Sequence, residues 1–376
     1  MKKNSDANSS GMVGVSRRQW IKMAAGAVST IPLAKGFSDA PFTAQAGTPA
    51  NRVSSGLELS CNNAHAYMDY DAWRSLKSAR QLLDQEPQRR WADLSRRAES
   101  RVEVNKQNWE EGSFEEYVRH YMKRMNESGV AVAAINTRDR EMDGYSKISY
   151  WKTLKRIAKV RDAYPGRFVL FAGIDPRRGK QGVKLLESAV NELGFNGMGE
   201  MLPHLHRFSP SDKQLCYPLY EKCVELGIPV TTNTWSTPGS ALGFVYNPEL
   251  FGEVCRDFPT LKICLSGAGM PYWSDSVLKL ASTHKTVYIN SAGWQIADEH
   301  CIPHYLQFLR QALSSEARYK IMYGGAYSVG AYGFGPNDWM SYLVSVAPQY
   351  GFEFTKEELR LYFVENFNNY FNSARG

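Results

Sequence analysis

From residue 126 onward, short runs of β-branched and other apolar residues alternate with amphipathic stretches whose apolar positions recur every three to four residues. The first kind reads as buried strands and the second as helices packed over them. Strands are expected at 57–61, 130–135, 168–174, a fourth segment around Phe195 and Gly197, and then 228–234, 261–265, 287–290 and 319–323. Helices are expected between them at 182–193, 213–226, 248–256, 274–281 and 304–313. Local signals punctuate this alternation. Ser113 with Glu116 three residues on forms a capping box that opens a helix, and Gly129 stops it. Asp175-Pro176 closes the third strand. Thr355 with Glu358 caps a final helix that presents Leu361, Phe363, Phe367 and Phe371 on one apolar face.

Eight strands in βα alternation close into a single α/β domain, a (β/α)8 TIM barrel. A charged helical stretch at 70–97 is an excursion after the first strand, placed to cover the barrel mouth. The chain has 376 residues and is 43% hydrophobic, which suffices for one barrel core.

The N-terminus stands apart from this pattern. Ser16-Arg17-Arg18-Gln19-Trp20-Ile21-Lys22 precedes a weakly apolar stretch at 23–33 and a small-x-small site, Ala44-Gln45-Ala46. This is a twin-arginine export pattern, so 1–46 is expected to be a signal peptide, 47–56 a linker and 57–376 the barrel. The expected partner is the twin-arginine export machinery and the expected location periplasmic or extracytoplasmic. The apolar stretch is too short for a stable membrane span.

The whole chain carries a formal charge of +7, but residues 1–46 hold six Lys/Arg against two Asp/Glu, which leaves +3 on the remainder. That charge is too small to indicate a nucleic-acid partner. Six cysteines (Cys61, Cys216, Cys223, Cys255, Cys264, Cys301) show no Cys-x-x-Cys spacing. They read as buried thiols, with one or two disulfides open after export.

Several segments, in order over roughly 115–372, resemble the amidohydrolase-related (amidohydrolase family 2) metal-dependent hydrolases of TIM-barrel fold. They include Met125-Asn-Glu-Ser-Gly129-Val130, Ile174-Asp175-Pro176, Leu193-Gly194-Phe195-Asn196-Gly197, Leu226-Gly227-Ile228-Pro229-Val230 and Phe258-Pro259-Thr260-Leu261-Lys262-Ile263. The resemblance implies a divalent metal held by a His-x-His after the first strand, by His at the ends of the fifth and sixth strands, and by Asp at the end of the eighth. Neutral imidazoles and a carboxylate suit such a metal because they leave one position open for an activated water. On this chain those positions fall on Asn233, Gly267 and Ala326, and the first-strand motif on Asn63 and His65. The expectation is therefore a degenerate metal site with no cofactor; zinc or manganese enters only if the strand-end alignment is wrong.

The remaining candidates lie at the expected mouth. Glu200, placed just past the fourth strand, is a candidate general acid or base assisted by His204 or His206, with a local ion pair to Arg207 as the competing role. His204-x-His206 on an extended segment would share one face, which also invites a metal. His65, Asn233, Trp235 and Tyr327 are candidate substrate-binding residues. Asp175 reads as a turn residue and Asp139 and Asp143 as solvated charge. Two functions stay open. One is a hydrolase or decarboxylase acting without the usual metal on a small cyclic or aromatic carboxylated substrate. The other is a catalytically inactive relative that binds a ligand or partner in the periplasm. The sequence leaves a homo-oligomer open.

Overall fold

The computed structural model describes residues 61–66, 114–127, 129–144, 148–234, 247–270, 272–294, 302–325, 336–345 and 347–372. Within them eight parallel strands pair in sequence order: β1 (Cys61–Ala66), β2 (Val130–Asn136), β3 (Phe168–Ala172), β4 (Gly197–Met201), β5 (Val230–Asn233), β6 (Ile263–Ser266), β7 (Val287–Asn290) and β8 (Ile321–Met322). The Ala64 N–H donates to the Tyr323 carbonyl at 2.9 Å, which joins β1 to the residue after β8. The helices that return the chain between strands are α1 (Phe114–Glu127), α2 (Tyr150–Ala163), α3 (Lys180–Asn191), α4 (Tyr217–Glu225), α5 (Phe251–Asp257), α6 (Ser274–Thr283) and α7 (Ile302–Leu313), and α8 (Pro336–Ser345) follows β8. This is the expected TIM barrel.

Two apolar layers hold it. The larger lies between strands and helices, with Leu154, Leu186, Val254, Val277 and Leu309 on the helix side and Ile135, Leu170, Val230, Ile289 and Ile321 on the strand side. The smaller groups Ala64, Ala134, Phe171, Cys264 and Met322 with Phe367 and Tyr370 of the C-terminal helix. Tyr370 Oη donates to the Val230 carbonyl at 3.2 Å and Asn62 Nδ2 to Asn368 Oδ1 at 3.1 Å, so this helix closes the N-terminal end of the barrel. The capping box at Thr355 and Glu358 forms as expected. Beyond it the helix passes through a π turn, Leu361–Glu365, and ends as Asn366–Asn372.

Two strands differ from expectation. β1 runs Cys61–Ala66, beyond the expected end at Cys61, because small residues (Cys61, Ala64, Ala66) rather than large apolar ones carry its buried apolar positions; residues 57–60 lie outside the described residues. β4 occupies Gly197–Met201, where two glycines mask the strand signal. Gly197 is required there by packing: a Cβ would lie 2.3 Å from the Phe171 ring. Residues 70–97, the expected export segment 1–46, the expected linker 47–56 and Ser113 lie outside the described residues.

Of the cysteines, Cys216, Cys223, Cys255 and Cys264 are free thiols, these four and Cys61 are buried, and Cys301 is outside the described residues. Burial pushes the thiol pKa up in each, to about 12 for Cys61 and about 11 for Cys255. No described helix is long and apolar enough to cross a membrane.

Candidate active site at the C-terminal strand ends

Among the described residues, the C-terminal ends of β2 to β7 collect most of the buried polar side chains: Asn136, Thr137, Asp139, Asp175, Glu200, Thr234, Ser266, Asn290 and Ser291. In a TIM barrel this is the face that carries chemistry. Glu200 lies inside β4, not past it, and is fully buried. The β4–β5 register shifts between Met198 and Met201, and such an irregularity re-aims one side chain. Glu200 Oε1 accepts a hydrogen bond from Asn233 Nδ2 at 3.1 Å, while its backbone N–H donates to the Thr137 carbonyl at 3.3 Å. Gly173 lets β2, β3 and β4 converge here, since a Cβ on it would lie 2.1 Å from the Thr137 oxygen and 2.9 Å from the Glu200 oxygen.

His204 and His206 do not sit on an extended segment. Pro203–His206 is a single helical turn ended by exposed Arg207 at φ 56°, so residues two apart point to opposite sides. The charges of Glu200 and Arg138 act on His204. Burial lowers its pKa to about 4, against the pull of Glu200 and with the repulsion of Arg138, so its imidazole is neutral near pH 7. His206 is 1% exposed, with Nδ1 3.9 Å from Asp175 Oδ1 and no hydrogen-bond partner for either ring nitrogen among the described residues. Burial also lowers its pKa. The turn thus brings His204, but not His206, to Glu200.

The acidic residues of the β2 and β3 ends correct another expectation. Asp139 is 0% exposed rather than solvated, and accepts from Arg178 through both carboxylate oxygens, at 2.5 and 2.8 Å. Asp175 caps the turn Pro176–Arg178 as a turn residue would, yet it too is fully buried and paired with Arg177, which reaches Asp143 at 2.7 Å. A buried carboxylate persists only when paired, and adjacent arginines from one short turn supply both partners.

On the other side, β5 to β7 end in neutral groups. Asn290 Oδ1 accepts from Ser266 Oγ (3.2 Å), Gly267 N (3.3 Å) and Ala292 N (3.1 Å), and Asn290 Nδ2 donates to Cys264 Sγ (3.3 Å). Thr234 Oγ1 donates to the Ser266 carbonyl at 2.8 Å and accepts from Gly269 N at 3.0 Å. Asn136, Arg138, Ser266 and Asn290 were not singled out from the sequence. The available signal was the polar residue that ends each apolar run, as in Ala134-Ile135-Asn136 and Tyr288-Ile289-Asn290.

For a divalent metal the described donors fit poorly. No group of three His, Cys, Asp or Glu converges among the described residues. At the fifth strand end stands an amide already bonded to Glu200, and Gly267 sits at φ 81°, where a histidine would be strained. The side chain of His65, which lies within β1 and not after it, and residues Trp235, Ala326 and Tyr327 are outside what is described.

Residues 73–366 match the protein family described as amidohydrolase. Among curated proteins nothing matches the chain at a significant level. Several solved structures share the fold. An uncharacterized TIM-barrel protein from Bordetella bronchiseptica is 18% identical, with a TM-score of 0.51 over 70% of this chain and 86% of its own. A 5-carboxyvanillate decarboxylase from Novosphingobium aromaticivorans, solved with manganese and 4-hydroxy-3-methoxy-5-nitrobenzoic acid, is 14% identical, with a TM-score of 0.54 over 84% and 96%. A 2,6-dihydroxybenzoate decarboxylase in complex with 2,6-dihydroxybenzoate is 14% identical, with a TM-score of 0.51 over 84% and 99%. At these identities the structures establish the shared barrel, and the match over 73–366 establishes that this chain belongs to the amidohydrolase family.

Proposed function

We propose that the protein is an exported hydrolase or decarboxylase that acts on a small cyclic or aromatic carboxylated substrate without the metal usual in its family. The observation that carries this reading is the fully buried Glu200 carboxylate, held by the Asn233 amide beside the neutral imidazole of His204. A carboxylate so placed moves protons. In decarboxylation the C–C bond breaks, carbon dioxide leaves, and the electron pair left on the ring carbon takes a proton from the Glu200 carboxyl. In hydrolysis the Glu200 carboxylate takes a proton from the attacking water. His204 relays the proton in either case, and the Arg138 charge beside it favours an anionic substrate on that side.

The substrate class is supported by two fold neighbours whose names and ligands are ring carboxylates. Export rests on Ser16–Lys22, and replacing Arg17 and Arg18 by Lys should leave the protein in the cytoplasm. The functional test is turnover on a panel of hydroxylated benzoates with and without EDTA. Activity unchanged by the chelator and lost in Glu200→Gln supports the reading. A strict metal requirement rejects its metal-free part, and saturable binding with no turnover would replace it with the ligand-binding role.

A further inference from the structure

The turn after β6 contains a backbone donor that has no acceptor among the described residues. Gly267, Ala268 and Gly269 all lie in the left-handed region, at φ 81°, 46° and 68°. An alanine there is disfavoured by its Cβ, so the turn persists only because other contacts fix it. Gly267 N donates to Asn290 Oδ1 and Gly269 N to Thr234 Oγ1, while Met270 N donates to the Gly267 carbonyl at 2.9 Å. The same carbonyl accepts from Trp294 Nε1 at 3.1 Å. Of four successive N–H groups, three have acceptors, and the N–H of Ala268 has none among the described residues although the residue is 0% exposed. A buried N–H left without an acceptor is rare in folded proteins.

Its direction follows from the peptide plane. Across a trans peptide the N–H points opposite to the preceding carbonyl. The Gly267 carbonyl points at Trp294, which stacks on Phe308 in the layer between barrel and helices. The Ala268 N–H is therefore directed away from that layer, at the end of a strand whose last residue, Ser266, lies opposite Asn233 in the β5–β6 register.

We propose that the Ala268 N–H donates a hydrogen bond to one carboxylate oxygen of the bound substrate. This rests on the reading of the mouth as a site for a ring carboxylate. β4 and β6 are two inter-strand spacings apart, about 10 Å, which is the span of a benzoate-sized ring with its substituent. A carboxylate held at Ala268 lays the ring across Asn233 and turns its far edge to Glu200. The turn thereby places a neutral donor at the strand end where the family resemblance expects a histidine.

The test uses the full chain with isotope-labelled alanine, benzoate as the probe and benzyl alcohol as its uncharged counterpart. The Ala268 amide resonance is identified by its loss in Ala268→Gly and independently by labelling the Gly267–Ala268 peptide pair. Benzoate, but not benzyl alcohol, should shift this resonance saturably and slow its hydrogen exchange at least tenfold. If benzoate raises the melting temperature while the Ala268 amide stays unmoved, the inference is overturned and the proposed substrate class stands. If benzoate neither stabilises the protein nor moves the amide, both are overturned.

Discussion

The two halves of the barrel mouth solve the burial of polar groups in opposite ways. At the ends of β2 and β3, Asp139 and Asp175 are buried as full charges, each locked to an arginine of the turn Pro176–Arg178, with Glu141 and Asp143 extending the pairs outward. At the ends of β5 to β7 the polar network among the described residues is neutral: Ser266 donates to Asn290, and Asn290 and Thr234 bond to backbone groups and fix the turn after β6. A buried ion pair satisfies itself and holds a fold in register, whereas a neutral network that sets backbone direction leaves donors for a ligand. Glu200 sits between the two, on β4, bonded to the neutral side through Asn233 and close to the charged side through His204 and Arg138. That boundary is where proton transfer is expected.

The comparison yields experiments of graded size. Glu200→Gln should lower kcat about 100- to 10,000-fold with the fold intact, as judged by an unchanged melting curve. Arg178→Ala strands the buried Asp139 carboxylate and should cost about 3–5 kcal/mol in chemical denaturation, marking the charged half as scaffold.

His204 supplies a pH signature. Its folded pKa of about 4 lies below the ordinary 6.5, so between those values the unfolded chain binds more protons. Stability should be level above about pH 6.5 and fall as the pH drops toward about 4, by at most about 3 kcal/mol. His204→Gln should flatten part of that slope; an unaltered slope would show that the imidazole is not buried neutral. The smallest effect is expected from Asn290→Ala, about 1–3 kcal/mol of stability, since it removes one acceptor from three donors. Should this variant weaken benzoate binding by no more than its melting temperature predicts, the neutral half would be scaffold as well.

How much of this was legible in the sequence varies with the side chains that carry it. The sequence places β7 at 287–290, as the structure does, because apolar Val287 and Ile289 alternate along it and polar Asn290 ends it. β4 was blurred because Gly197 and Gly199 give no strand signal, although Gly197 is demanded by the Phe171 ring. The mouth location of Glu200 and Asn233 was legible from strand order, and the structure joins them by a hydrogen bond. Burial of Asp139 was not legible: a charged loop reads as solvated until Arg178, 39 residues on, is seen to face it.

The sequence alone therefore determined the barrel, through the period of its apolar residues, and the amide and glycine at the fifth and sixth strand ends. Only the tertiary structure decided which polar groups meet. His204 and His206 part ways because they lie two residues apart within one helical turn, and the Ala268 N–H lacks an acceptor among the described residues because Asn290, Thr234 and Trp294, from three other segments, fix the turn around it. Periodicity is a local property of the chain, while the satisfaction of a buried polar group depends on atoms far away in sequence.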